Sequence, residues 1–225
     1  MIPWIQLDSA RVPGGGELRL KKRGGEFSIM LGTNELMNSR LSGSEEALAR
    51  LACARLGSGS SPHLLIGGLG MGFTLRAALA ELPQGARVTV AELVPEVVAW
   101  ARGPMAAVFE GCLDDPRVAV RETDVADLIR PVKATYDAIL LDVDNGPEGL
   151  SRKANDALYD RAGLAAARAA LRPDGVLAVW SSAPDAGFTR RLGQAGFLVE
   201  ETKARARRGG GGARHVIWLA TPRMP

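Results

Sequence analysis

Short β-like runs open the chain, and a regular alternation of apolar strands and amphipathic helices follows them. GELRLKK and EFSIML flank Arg23-Gly24-Gly25, a spacing that predicts a hairpin. A second turn is predicted at Gly32-Thr33-Asn34. Ser42-Gly43-Ser44-Glu45 then opens a helix, because Ser followed three residues later by Glu is a capping box. EEALARLACARL carries that helix forward with Leu48, Leu51 and Arg55 on one side. The run Gly57-Ser58-Gly59-Ser60-Ser61-Pro62 ends it.

From residue 63 to about 200 the runs alternate in kind. HLLIGG, RVTVAEL, RVAVRET, YDAILLDV and GVLAVWSS read as strands, and FTLRAALAEL and PEVVAWAR as helices. A long Ala-rich helix is expected within 156–171, ended by Arg172-Pro173-Asp174-Gly175. Near-continuous apolar strands separated by helices imply a parallel sheet covered on both faces. FLVEETKAR and HVIWLATP differ, because the short loop between them leaves no room for a crossover helix. They should pair antiparallel. The expected fold is α/β and Rossmann-like, of the class I methyltransferase type. Its mostly parallel seven-stranded sheet ends in an antiparallel hairpin. Residues 1–42 are expected to form a small β-hairpin region and residues 43–225 the nucleotide-binding domain.

Composition narrows the classes. The 225 residues are 46% hydrophobic and 24% charged, as in ordinary globular proteins. A net charge of +3 is too small to argue for a nucleic-acid partner. No apolar run approaches the ~20 residues of a membrane helix, and MIPWIQLDSA lacks the features of a secretory signal. A cytoplasmic location is the expectation. Cys53 and Cys112 lie far apart without metal-ligand spacing, so no metal site is expected and both read as buried thiols. His63 and His215 each open a strand and read as structural.

The chemistry gathers at strand ends. The first core strand runs into Gly67-Gly68-Leu69-Gly70-Met71-Gly72, where glycines at 68, 70 and 72 permit a tight turn and close approach of a ligand. Open α/β sheets bind ligands at such a point, where strand order reverses. The next strand ends in Glu92-Leu93, twenty residues past Gly72, at the spacing of a carboxylate that accepts from ribose hydroxyls. The third is followed by Asp124-Val125, where Asp124 can accept the exocyclic amine of adenine, cap a helix, or do both. The fourth ends in Asp142-Val143-Asp144-Asn145-Gly146-Pro147. Crowded carboxylates there should hold at least one raised pKa. That makes Asp142 and Asp144 the candidate catalytic residues for deprotonating an attacking group. The same run is also strong turn chemistry.

These segments, from roughly Leu31 to Trp218, resemble the spermidine synthases and their relatives. HLLIGGLGMG is similar to that family's first glycine motif, VAELVPEVVAWAR to its ribose-binding segment with Glu92, and DPRVAVRETDVADLI to its adenine-side segment with Asp124. YDAILLDVDNGPEGL is similar to its catalytic segment with Asp142 as the first Asp, and LRPDGVLAVWSSAP to the strand that follows. The resemblance implies a ligand of the S-adenosylmethionine type, held by Gly68, Leu69, Gly70, Gly72, Glu92, Leu93, Asp124, Val125 and Asp142. It also implies oligomer contacts through the N-terminal region, hence a dimer. Several positions depart from the family. Gly70 replaces an Asp, Asn145 the second Asp of D-x-x-D, Trp180 a Gln, and Gly43-Ser44-Glu45 a Y-H-E in which Glu45 alone survives. The helix cap accounts for Glu45.

Lys203, Arg205, Arg207, Arg208 and Arg214 fall within twelve residues around four glycines. They read as a solvated hairpin tip or as a lid for an anionic acceptor. Lost acids and gained arginines weigh against a polyamine. The acceptor region is expected around Asn145, Trp180, Arg207 and Arg208. The leading expectation is therefore S-adenosylmethionine-dependent methyl transfer to a small, anionic acceptor, without nucleic acid or membrane partners. Aminopropyl transfer from decarboxylated S-adenosylmethionine is the alternative, and a non-catalytic adenosyl-binding domain the third reading.

Overall fold

The computed structural model describes residues 2–57, 61–143, 147, 156–209 and 211–223. Four strands come first: β1 (Ile5–Arg11), β2 (Glu17–Arg23), β3 (Glu26–Leu31) and β4 (Asn34–Asn38), an antiparallel sheet in chain order. The hairpin at Gly24-Gly25 forms as expected, with Arg23 opposite Glu26, and the next turn brings Leu31 opposite Asn34. Leu18, Leu20, Phe27 and Ile29 face inward and are buried. β1 was not expected as a strand, because its outer positions, among them Ile5 and Leu7, are exposed and show no apolar face. Main-chain pairing to β2 holds it, together with a hydrogen bond from Trp100 Nε1 to Asp8 Oδ2 at 2.7 Å.

Helix α1 (Gly43–Cys53) leads into β5 (His63–Gly67), α2 (Phe73–Glu81), β6 (Arg87–Glu92) and α3 (Pro95–Arg102). A one-turn helix α4 (Ala106–Phe109) and a 3-10 turn at Cys112–Asp114 follow, neither expected from the pattern. Then come β7 (Val118–Glu122), α5 (Val125–Ile129), β8 (Tyr136–Leu141), α6 (Asp156–Tyr159), α7 (Arg161–Ala170) and β9 (Leu171–Ser181). The single helix expected over 156–171 is interrupted at Asp160, whose side chain accepts from Gly163 N at 2.7 Å and caps α7. β9 starts at Leu171, ahead of the expected Gly175. Leu171 pairs with Tyr136 before the register shifts, and pairing resumes at Val176 opposite Ala138. An unexpected α8 (Ala186–Gln194) precedes β10 (Phe197–Arg205) and β11 (Arg214–Pro222).

The second sheet runs β10-β11-β9-β8-β5-β6-β7, parallel except where β11 joins β9 and β10 joins β11 antiparallel. The chain moves outward from β5 to β6 and β7, then returns to place β8 on the other side of β5. That reversal opens a crevice at the carboxyl ends of β5, β6 and β8. Leu64, Leu65 and Ile66 of β5 are wholly buried, as the continuous apolar run requires for a central strand. Among the described residues no helix is long and apolar enough to cross a membrane.

Candidate functional site

At the end of β5, Gly68 and Gly72 have φ of +92° and +76°. A Cβ at Gly68 would overlap the carbonyl oxygen of Asp142, so glycine lets the ends of β5 and β8 meet. Gly72 serves packing instead: a Cβ there would lie 2.6 Å from the Phe109 ring, away from the crevice. Gly70 faces Met37, whose sulfur would be 3.2 Å from an added Cβ.

Glu92 ends β6 and is buried. Its Oε2 accepts from Leu69 N and its Oε1 from Val94 N, both at 2.9 Å, so one carboxylate ties the glycine bend to β6. Burial pushes its pKa up, and these backbone donors oppose the shift. Asp124 caps α5 by accepting from Ala126 N at 2.9 Å, and it also lines the crevice. Both roles considered for it are thus compatible with one position.

Asp142 follows β8, and Thr74 Oγ1 of α2 donates to its Oδ2 at 2.6 Å. Burial, and then the charge of Glu45, push Asp142 up to about 7, while the Thr74 bond opposes them. The expected raised carboxylate therefore exists, but its charged neighbour is Glu45. The predicted capping box does not form, since Ser42 makes no side-chain cap bond to the helix and Glu45 is turned inward. Glu45 Oε2 bonds with Ser44 Oγ at 2.6 Å, and Ser44 Oγ lies 2.8 Å from His215 Nδ1. Burial raises Glu45, and the Ser44 bond lowers it. His215 was read as purely structural, yet it closes this polar chain. Trp180 meets the His215 ring edge-on at 4.7 Å between centroids.

Gly68, Gly70, Glu92, Leu93, Asp124, Val125 and Asp142 share a cavity of about 140 Å³. Its remaining wall includes Val12, Leu18, Ile29 and Met37 from the N-terminal sheet, which sequence reasoning did not name. The only sign of them was the alternation of that segment, which marks buried positions without saying what they face. Leu69 contributes through its backbone, while Gly72 and Trp180 lie outside the cavity wall. Asp144 and Asn145 lie outside the described residues.

The basic run, expected as a solvated hairpin tip or a lid, does not line this cavity. Arg208 Nε donates to Glu46 Oε1 at 2.7 Å, and the pair lines a separate open cleft with Arg50 and Arg76. Arg207 is exposed and hydrogen-bonds through its backbone to Gly211. Gly43 N donates to Ala206 O at 2.9 Å, anchoring the loop beside the start of α1. No arginine lines the cavity wall among the described residues.

A mostly parallel sheet with a glycine bend, strand-end acids and a closing antiparallel pair defines a Rossmann-like α/β protein. Residues 46–185 match the spermine/spermidine synthase domain, and the chain belongs to that family. Polyamine aminopropyltransferase 1 of Streptomyces coelicolor is 34% identical over 131 residues, a match spanning 56% of this chain and 23% of that protein. The fold is shared with a Thermotoga maritima spermidine synthase, at 19% identity and TM-score 0.78, over 98% of this chain and 74% of that one. It is also shared with a spermidine synthase solved with the transition-state analogue AdoDATO, at 18% identity and TM-score 0.76, over 98% and 73%. The expectation of methyl transfer is overturned by the family match and by the name of this relative, both of which point to aminopropyl transfer.

Proposed function

We propose that this chain transfers an aminopropyl group from decarboxylated S-adenosylmethionine to a small amine. The observation that carries the reading is the carboxylate pair Asp142 and Glu45 at the end of β8, with no arginine on the adjoining cavity wall among the described residues. Two half-buried acids suit a cation and disfavour an anion. An anionic acceptor was expected from lost acids and from the basic run Lys203, Arg205, Arg207, Arg208 and Arg214; of these, Arg208 is committed to Glu46 and none lines the cavity wall.

The residues fit the donor. Glu92 lies on the cavity wall at the strand end where a carboxylate can accept from ribose hydroxyls. Asp124 stands at the adenine side, between Thr123 and Val125. Leu18, Ile29 and Met37 give the cavity an apolar wall, and Gly68 brings bare backbone close to the ligand. Gly70 supplies no carboxylate to the donor's amino end, which leaves that charge to the Asp142 side.

Chemically, an amine that enters as an ammonium must lose a proton before its lone pair can attack. Asp142 takes that proton, and a base titrating near neutral pH suits the step. The new C–N bond forms as the C–S bond breaks. The electron pair of that bond goes to sulfur, which departs as a neutral thioether, and the product nitrogen carries the positive charge. Orientation of the amine in line with the C–S bond supplies much of the rate, up to ~7–11 kcal/mol.

The test is incubation with decarboxylated S-adenosylmethionine and a panel of diamines and polyamines, reading methylthioadenosine release and the product mass. Wild type should yield an aminopropylated amine, and D142N at least about a hundredfold less. A methylated product, or none with any amine, rejects the reading.

A further inference from the structure

We propose that Ser44 and His215 hold Glu45 as a carboxylate beside Asp142, and that this standing negative charge sets the pH at which Asp142 takes a proton from the acceptor. The proposal rests on Asp142 being the base of the transfer reaction, but its physical core is testable without turnover.

One hydroxyl joins the two groups. Ser44 is fully buried, and its Oγ lies within hydrogen-bond range of both Glu45 Oε2, at 2.6 Å, and His215 Nδ1, at 2.8 Å. A hydroxyl has one proton to give. If it goes to Glu45, that carboxyl can be ionised, and His215 must carry its own proton on Nδ1 and donate to Ser44. If it goes to His215, Glu45 must supply a proton to Ser44 and is neutral. The tautomer of His215 and the charge of Glu45 are therefore locked together across residues from α1 and β11.

Hydrogen bonding from Ser44 favours the ionised arrangement, against the burial that raises Glu45. α1 packs on α2, β8, β9, β10 and β11. Among the described residues of these elements, Asp142 and His215 are the titratable groups with a stated interaction with the Ser44–Glu45 pair, and Trp180 of β9 meets the His215 ring edge-on. Glu200 of β10 is turned to Arg55 at 2.5 Å. On α1 itself the like-charged neighbour is Glu46, which Arg208 and Arg50 hold. His215 feels burial alone, which disfavours its cationic form. A neutral Nδ1–H imidazole is thus a stable donor to Ser44. With Glu45 ionised, ionisation of Asp142 places a second negative charge in the same half-buried site.

Ser44, His215 and Glu45 act here as positioning residues, through Asp142. Thr74 works in the opposite sense, by donating to Asp142 directly.

The experiment is carboxyl-carbon NMR titration of Asp142 in ligand-free full-length wild type, E45Q and S44A, with nitrogen NMR of His215. Removing the Glu45 charge in E45Q should lower the Asp142 midpoint by about one pH unit or more. S44A should lower it in the same direction, because Glu45 then keeps its proton. His215 should be the Nδ1–H tautomer near neutral pH. A midpoint unmoved in both variants, or an Nε2–H tautomer in wild type, overturns the proposal. In active enzyme the acidic limb of kcat/KM should follow these midpoints. Wild type that makes no aminopropyl product while the midpoints shift as stated refutes the functional reading and leaves the Ser44–His215 device intact.

Discussion

Thr74 Oγ1 donates to Asp142 Oδ2 at 2.6 Å, tying the first turn of α2 to the end of β8. The bond stabilises the ionised carboxylate against burial and the charge of Glu45. T74V keeps the shape and removes the donor. Its Asp142 should titrate higher than in wild type, and kcat/KM at pH 7 should fall roughly tenfold, with recovery at higher pH. A pH–rate profile of both proteins checks this.

A cationic ligand should bind the ionised form of Asp142. With Asp142 at about 7, the competent fraction rises about tenfold between pH 6 and pH 8. Affinity for decarboxylated S-adenosylmethionine should rise by about that factor, while neutral methylthioadenosine stays nearly flat. Calorimetric titrations at the two pH values separate the cases.

Stability should show the same group with the opposite trend. The folded state raises Asp142 from its ordinary 3.8, so the folded protein favours the protonated form. The associated stability is fully present below 3.8, declines as pH rises, and is lost once pH passes through about 7. Ligand-free D142N should therefore be more stable than wild type at pH 8, with the gap closing toward pH 5. Urea unfolding across that range reads the difference.

Glu92 holds two backbone amides with one carboxylate. In E92Q, one of those N–H groups faces an amide NH₂ with no acceptor to give. The loss should be about 1–3 kcal/mol of stability. Affinity for methylthioadenosine should fall as well, because the ribose side loses its anionic acceptor. Urea unfolding and calorimetry measure the two effects.

Gly72 and Phe109 should be energetically coupled. G72A places a Cβ 2.6 Å from the Phe109 ring at a φ of +76°, so both overlap and backbone strain destabilise it. F109L removes part of the overlap. The double variant should be more stable than the sum of the single losses predicts, by about 0.5–3 kcal/mol. Additive losses in urea unfolding would place the whole cost in the backbone.

Much of the molecule was legible because it depends on short-range pattern. Continuous apolar runs placed the core strands, and the connector after β10 was too short for a helix, which determined the antiparallel close. Gly68, Glu92, Asp124 and Asp142 each follow or end a strand, and a parallel sheet brings such positions to one edge. β1 escapes that pattern for the converse reason. β1 is held by main-chain bonds and by Asp8 to Trp100, neither of which leaves an apolar period.

The sequence by itself determined the order of the core strands, the crevice and the acids along it, because turn chemistry and hydrophobic period act between near neighbours. Only the tertiary structure decided which charges share the site. Glu45 read as a local helix cap, yet α1 lies across the sheet and presents it to Asp142. Ser44 meets His215 from 171 positions away. Arg208 reads as part of a solvated hairpin tip or a lid, and its bond to Glu46 takes it into a different cleft. Such meetings depend on how whole helices pack on a sheet, and a residue's immediate neighbours carry no record of the partner it will face.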